Sequence, residues 1–250
     1  MKDFRIVILA AGKGNRMGTE LPKALISIAG KPLLQHLIER VKASGLDDVP
    51  LVVVGHGREH ICERFGAECE YVVQEQQLGT GHAVSVCQDA LRGVKNILVL
   101  YGDHPLVSKE SIQKLVALHT ESRSVMTATT TIVPSFDGWY RVFLHWGRIL
   151  RDASGRVIGN RQFKDATEDE RMIKELDPAL YCFQAEWLFE HIFSVKNANA
   201  QGEYYLTDLV QMAVAEGHEV PTLLVPPEEA IGINTPEEKA VAEELIERLI

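Results

Sequence analysis

Apolar residues in the first half of the chain fall in short continuous blocks. Residues 4–9 (FRIVIL), 51–54 (LVVV) and 97–101 (ILVLY) are almost wholly apolar and rich in β-branched side chains. Such blocks predict strands covered on both faces, as in a parallel sheet. Residues 70–73 predict a shorter strand. Between the blocks the period changes. Leu33, Leu34, Leu37, Ile38 and Val41 stand at helical spacing, so a helix is expected over 33–43, with Pro32 in its first turn and Gly45 as its stop. Val84, Cys87, Ala90 and Leu91 predict one side of a helix over 82–91, with Thr80 as N-cap. A further helix over 109–119 begins at Ser108 as its cap. Strand alternating with helix predicts an α/β fold with a doubly wound, mostly parallel, Rossmann-like sheet.

The second half is less regular. Strands are expected at 125–133, 180–184 and 222–225. A hairpin is expected across 148–163 around Ser154-Gly155. Helices are expected at 186–194, at 208–216 before Gly217, and at 236–249 with Thr235 as cap. The chain reads as one domain over 1–250, with a lobe over 1–122, a smaller lobe over 123–234 and a C-terminal helix over 235–250.

Composition narrows the classes of function. The 250 residues are 46% hydrophobic and 24% charged, which suits a folded globular chain. The net charge of −9 argues against non-specific nucleic-acid binding, which needs clustered Lys and Arg. Cys62, Cys69, Cys87 and Cys182 form no CxxC pair and read as reduced thiols. The apolar run near the N-terminus is too short for a signal-peptide core, and no stretch approaches transmembrane length. A cytoplasmic location without membrane contact is expected.

The candidate chemistry begins after the first block, at Leu9-Ala10-Ala11-Gly12-Lys13-Gly14-Asn15-Arg16-Met17-Gly18 and Pro22-Lys23. Glycines let backbone N–H groups approach phosphate oxygens, and Arg16 and Lys23 can neutralise a triphosphate. A P-loop is excluded because GxxxxGK[ST] is absent, and a dinucleotide fingerprint fails because the third glycine, Gly18, comes one residue late. Gln74 to Ala83 (QEQQLGTGHA) offers amide groups and close backbone approach suited to a pyrimidine edge. Tyr101-Gly102-Asp103 puts a carboxylate at the end of a strand, where ligands of open α/β sheets bind and where Mg²⁺ can be held with substrate phosphates. Asn199 to Leu209 (NAQGEYYLTDL) sets aromatic faces beside polar groups, which suits a sugar ring. His104 is read as a structural loop histidine.

The glycine loop with its PK pair resembles the signature of nucleoside-diphosphate-sugar pyrophosphorylases. With Lys164-Asp165-Ala166-Thr167, the segments resemble the N-terminal uridylyltransferase domain of the bacterial bifunctional N-acetylglucosamine-1-phosphate uridylyltransferase/acetyltransferases, in order and spacing from residue 4 to about 234. The resemblance implies UTP and a sugar 1-phosphate as substrates and Mg²⁺ as cofactor. It implies Arg16, Lys23 and Asp103 as catalytic residues, and Asp103 with Asn234 as the metal pair. Ala10, Ala11, Gly12, Gly14, Gln74, Gly79 and Thr80 correspond to the nucleotide site. Gly147, Gln162, Asp177, Tyr205 and Thr207 correspond to the sugar site.

Two positions depart from the family. Gln162 stands where the family has glutamate, and Asp177-Pro178-Ala179 where it has Asn-Thr-Gly. Both lie in the implied sugar pocket, so the identity of the sugar stays open, with N-acetylglucosamine 1-phosphate the first choice. The hexapeptide repeats of an acetyltransferase half are not among these residues, which fits either a stand-alone pyrophosphorylase or one part of a longer protein. Transfer to another sugar, a polyol phosphate or choline phosphate is the alternative within the same chemistry. A catalytically inactive UDP-sugar-binding regulator is the alternative outside it.

Overall fold

The computed structural model describes residues 3–12, 14, 17–18 and 21–249. Its strands are β1 (Phe4–Leu9), β2 (Ser27–Ile28), β3 (Lys31–Pro32), β4 (Leu51–Val54), β5 (Glu70–Val73), β6 (Asn96–Tyr101), β7 (Met126–Ile132), β8 (Arg148–Arg151), β9 (Val157–Arg161), β10 (Glu175–Leu176), β11 (Tyr181–Gln184) and β12 (Thr222–Leu224). The helices are α1 (Leu33–Ser44), α2 (Arg58–Phe65), α3 (Thr80–Ser85), α4 (Lys109–Ser122), α5 (Glu168–Arg171), α6 (Ala185–His191), α7 (Asp208–Ala215), α8 (Pro227–Ala230) and α9 (Pro236–Leu249). Apart from the β2–β3 pair, the strands form one sheet in the order β5-β4-β1-β6-β11-β7-β10-β8-β9, with β12 beside β7.

The first four strands of that order are parallel. β11 then enters antiparallel between β6 and β7, and the strands beyond β7 continue antiparallel, as the expected hairpin requires. Alternate side chains of the parallel strands face opposite cores. Ile6, Ile8, Val52, Val54, Leu98 and Leu100 pack under α1, α2 and α4. Val7, Val53, Ile97 and Val99 pack under α3, α6 and α7. This two-sided burial is why the strand sequences show no polar alternation. A third core joins Ile28 of β2 and Phe143 to Ala242, Leu245 and Ile246 of α9, and so folds the C-terminal helix back onto the rim of the sheet.

Local signals correspond to observed ends. Ser108 accepts from the Ser111 N–H at 3.0 Å, and Gly45 ends α1 in the left-handed region. Thr235 and Glu238 form a reciprocal capping box at α9. Three expectations need correction. Pro32 precedes α1 instead of lying in its first turn. The helix expected at 82–91 is regular only to Ser85, after which Cys87 and Gln88 bond three residues back; Ala90 is exposed there, while Cys87 and Leu91 stay buried. Gly79, not Thr80, occupies the cap position of α3, because the Thr80 hydroxyl accepts from the distant Leu206 N–H at 3.0 Å.

Candidate active site

β1 and β6 are neighbours, yet the chain leaves β1 towards β4 on its other side. A crevice opens at the carboxyl ends of two strands whose connections diverge in this way. The loop after β1 and the Tyr101-Gly102-Asp103 turn after β6 both reach it, tied by the Gly102 N–H to Leu9 C=O bond at 2.9 Å. A cleft of about 220 Å³ is lined there by Ala10, Ala11, Gly12, Lys23, Gln74, Gln77, Gly79, Thr80 and Asp103. Gly14 lies against Lys23, and a Cβ at this position would stand 2.9 Å from Lys23 Cβ. Arg16 lies outside the described residues.

A second cavity of about 260 Å³ adjoins the first and shares Thr80, Tyr101, Asp103 and Glu203 with it. Gly147, Gln162, Asp177, Tyr205, Thr207 and Asn234 line it, so every residue assigned to the sugar site reaches one cavity. His104, His145 and Trp146 line it as well, and His104 stacks on Trp146 with ring centroids 5.7 Å apart. Gln77 and Glu203 also line the cavities, from inside the two motif segments. His104 has a wall position that its loop setting did not signal.

Lys23, Asp103 and Asn234 meet between the cavities. The Lys23 ammonium ion-pairs with Asp103 Oδ2 and donates to Asn234 Oδ1 at 2.6 Å. Burial raises the pKa of the Asp103 carboxyl, but Lys23 and His104 oppose it and the net shift is below the ordinary value. Asn234 is delivered by the chain entering α9, where the Ile233 N–H bonds Asp103 C=O at 2.9 Å. One carboxylate and one amide oxygen thus converge on a point where a cationic group already sits, and an all-oxygen donor pair of this kind fits a hard divalent cation.

The loop at residues 74–81, which lines the first cleft, is held by a segment distant along the chain. Gln74 is buried and donates to Gly79 C=O at 3.1 Å, which closes residues 74–79 on themselves. Tyr204 then bonds both sides of the loop, its N–H to Leu78 C=O and its C=O from Gly81 N–H, each at 2.8 Å. The segment 203–206, whose Glu203 and Tyr205 line the second cavity, therefore fixes the loop of the first cavity directly.

Behind the second cavity, Arg148 is fully buried and gives its guanidinium to carbonyls of Leu144, Trp146 and Arg171, which holds the loop carrying Gly147. Burial lowers its pKa to about 10. Thr207 stands at the cap position of α7 without a capping bond, and its hydroxyl instead accepts from Gln162 Nε2 at 3.3 Å. Asp177 accepts from Tyr181, Asn160 and the Ala179 N–H. Burial raises the pKa of its carboxyl, only partly offset by these bonds.

Ala179 adopts φ 61°, the left-handed region that glycine enters freely. An L-residue there costs about 1–2 kcal/mol. Ala179→Gly is expected to gain about 1 kcal/mol of stability in urea unfolding, somewhat less than the strain because glycine loosens the unfolded chain. An unchanged midpoint would show that the strain is relieved elsewhere.

The fold, the switch-point crevice and the glycine loop define a nucleotidyltransferase, and residues 6–178 match the MobA-like NTP transferase domain, the family to which the chain belongs. Among curated relatives, the bifunctional protein GlmU of Halalkalibacterium halodurans is 39% identical over 246 residues, covering 98% of this chain and 52% of the relative. The GlmU of Cellvibrio japonicus is 43% identical over 213 residues, covering 85% and 45%. The chain spans about half the length of these relatives. A crystal structure of UDP-glucose pyrophosphorylase complexed with UDP-glucose superimposes over the whole of both chains with a TM-score of 0.78 at 17% identity, a likeness of fold. Among the described residues no helix is long and apolar enough to cross a membrane.

Proposed function

We propose that the chain transfers a uridylyl group from UTP to a sugar 1-phosphate, most readily N-acetylglucosamine 1-phosphate, giving a UDP-sugar and pyrophosphate. The observation that carries this reading is the convergence of Lys23, Asp103 and Asn234 at the junction of the two cavities. The α-phosphate of a nucleotide in the first cavity and the phosphate of a sugar in the second would meet there. The relatives named GlmU support the same reading.

An oxygen of the sugar phosphate attacks the α-phosphorus in line. The new P–O bond forms as the α–β anhydride breaks, and pyrophosphate leaves with the anhydride electrons. Asp103 and Asn234 would hold Mg²⁺, which when bound neutralises charge on the phosphates. Lys23 is released from Asp103 and Asn234 to meet phosphate oxygens, and Arg16 is assigned the same duty from its place in the glycine loop. Gly12 and Gly14 let the loop backbone approach the triphosphate. Gln74, Gly79 and Thr80 position the base, while Gly147, Gln162, Asp177, Tyr205 and Thr207 surround the sugar. Such transfers depend on positioning and charge neutralisation, and no protein nucleophile is required.

The loop over the base cleft is pinned at Gly79 and Gly81 against Tyr204, so its span suits a single small ring. A pyrophosphate-release assay with N-acetylglucosamine 1-phosphate should therefore favour UTP over ATP and GTP by about tenfold or more, the discrimination expected when a site leaves polar groups unpaired with the wrong base. Equal use of GTP would overturn the uracil assignment. Absence of pyrophosphate with every nucleotide and sugar phosphate would sink the transferase reading and favour a ligand-binding regulator.

A further inference from the structure

Asp177 is buried without a cationic partner among the described residues. Its Oδ2 accepts from the Tyr181 hydroxyl and the Asn160 amide, and its Oδ1 accepts from the Ala179 N–H at 2.7 Å. All three donors are neutral. An ionised carboxylate has about four acceptor positions, so one is left on Oδ1. A buried charge without a counter-ion is costly, and a ligand that supplies the counter-ion removes that cost.

The surroundings point the same way. The described residues lining this cavity include three carboxylates, Asp103, Asp177 and Glu203, and no Lys or Arg. Only Asp103 is matched by a neighbouring ammonium, that of Lys23. Asn160, Gln162 and Asp177 converge on Gly147: a Cβ there would lie 2.9 Å from Asn160 Oδ1, 3.1 Å from Gln162 Nε2 and 3.6 Å from Asp177 Cβ. Asn160 is 3% exposed and its Oδ1 has no hydrogen-bond partner. Gln162 gives one N–H of its Nε2 to Thr207 and keeps its second N–H and its Oε1. Of these, Gln162 and Asp177 line the cavity, and Asp177 and Glu203 give it unpaired negative charge, so it suits a ligand group that donates and is positively charged.

We propose that the cavity accepts an amino-sugar 1-phosphate with its amine free and protonated, paired with Asp177, so that the chain uridylylates such a sugar as well as an N-acetylated one. The inference rests on the uridylyl-transfer reading above. The displacement is unchanged: the sugar phosphate oxygen bonds the α-phosphorus, pyrophosphate leaves, and the ammonium keeps its protons and takes no part. An acetamide supplies one N–H to Asp177, a hydroxyl one O–H, and an ammonium three N–H groups and the missing charge.

The test is kcat/KM for glucosamine 1-phosphate, glucose 1-phosphate and N-acetylglucosamine 1-phosphate, with UTP and Mg²⁺, on the wild type and on Asp177→Asn. Glucosamine 1-phosphate should exceed glucose 1-phosphate by at least about tenfold in the wild type, as expected for a buried charge-assisted hydrogen bond. Asp177→Asn should bring the ratio to about one. Raising the pH through the pKa of the substrate amine should lower the ratio in the wild type. Tyr101, Asp103, His104, His145, Glu203 and Tyr205 line the same space, and glucose 1-phosphate, which carries no amine, reports what they contribute to a neutral sugar. A wild-type ratio of one or less, turnover of the N-acetylated sugar alone, or a ratio untouched by Asp177→Asn overturns the proposal. If Asp177→Asn does not fold, the pH series on the wild type decides, and a flat ratio overturns it. Failure of all three sugars would refute the uridylyl-transfer reading itself, whereas turnover of the neutral sugars without preference for the amine refutes only this inference.

Discussion

Asp103→Asn is expected to lower kcat by more than about 100-fold, the loss typical when one preorganised electrostatic group is removed from a transition state. The substitution keeps the side chain's size and removes its charge. That charge has two roles here: it pairs with the Lys23 ammonium, and with Asn234 Oδ1 it forms the oxygen pair assigned to Mg²⁺. The main-chain bond from the Ile233 N–H to Asp103 C=O does not depend on the side chain, so the approach of α9 should survive. A melting temperature within a few degrees of wild type together with the loss of turnover would assign the effect to chemistry. Near wild-type turnover would remove Asp103 from the metal site.

The second large effect is expected at Gly79. Its φ of 113° and ψ of 177° lie in a region open essentially to glycine alone. A Cβ at this position would stand 2.6 Å from Tyr204 O and 2.8 Å from Tyr204 N, both main-chain atoms that cannot rotate away. The same Tyr204 groups bond Leu78 and Gly81, so Gly79→Ala forces the loop of the first cavity and the segment 203–206 apart. A destabilisation of about 1–3 kcal/mol is expected from the backbone alone. The sharper expectation is kinetic: KM should rise for UTP and for the sugar phosphate together, because one contact holds a wall of each cavity. Gly155→Ala is the control. Its φ of 84° carries strain, yet nothing lies within 4 Å of the added Cβ, so stability should fall while both KM values stay near wild type. A rise in only one KM for Gly79→Ala would show that the two subsites are not coupled through this contact.

The elements were legible where local patterns carry the physics. Continuous apolar blocks marked β1, β4 and β6 because both faces are covered. The Ser108 cap and the left-handed Gly45 marked the ends of α4 and α1 because unsatisfied backbone groups need a partner within one turn. The same reasoning misplaced the cap of α3, since the competing partner of Thr80 is Leu206, which lies 126 residues away. Asn234 became a candidate through family resemblance alone; its meeting with Lys23 spans 211 residues, and no spacing rule reaches that far.

At Gln162 and Asp177 it was the family resemblance that marked a departure and implied a carboxylate moved to another wall. Only the tertiary structure decided what that carboxylate touches. Tyr181 is positioned by β11 and Asn160 by β9, and the two strands lie at separate places in the sheet. The sequence by itself determined the order of the longer strands and helices, without β2, β3, β10, α2, α5 or α8, and the glycine loop with its neighbouring polar motifs. These depend on burial period and turn chemistry within a few residues. Tertiary structure decided that β11 returns antiparallel beside β6, that α9 folds back to bring Asn234 to Lys23 and Asp103, and that Asp177 is buried among neutral donors. Those outcomes depend on packing between segments distant along the chain, where the burial and charge of a side chain are set by neighbours that its own segment does not specify.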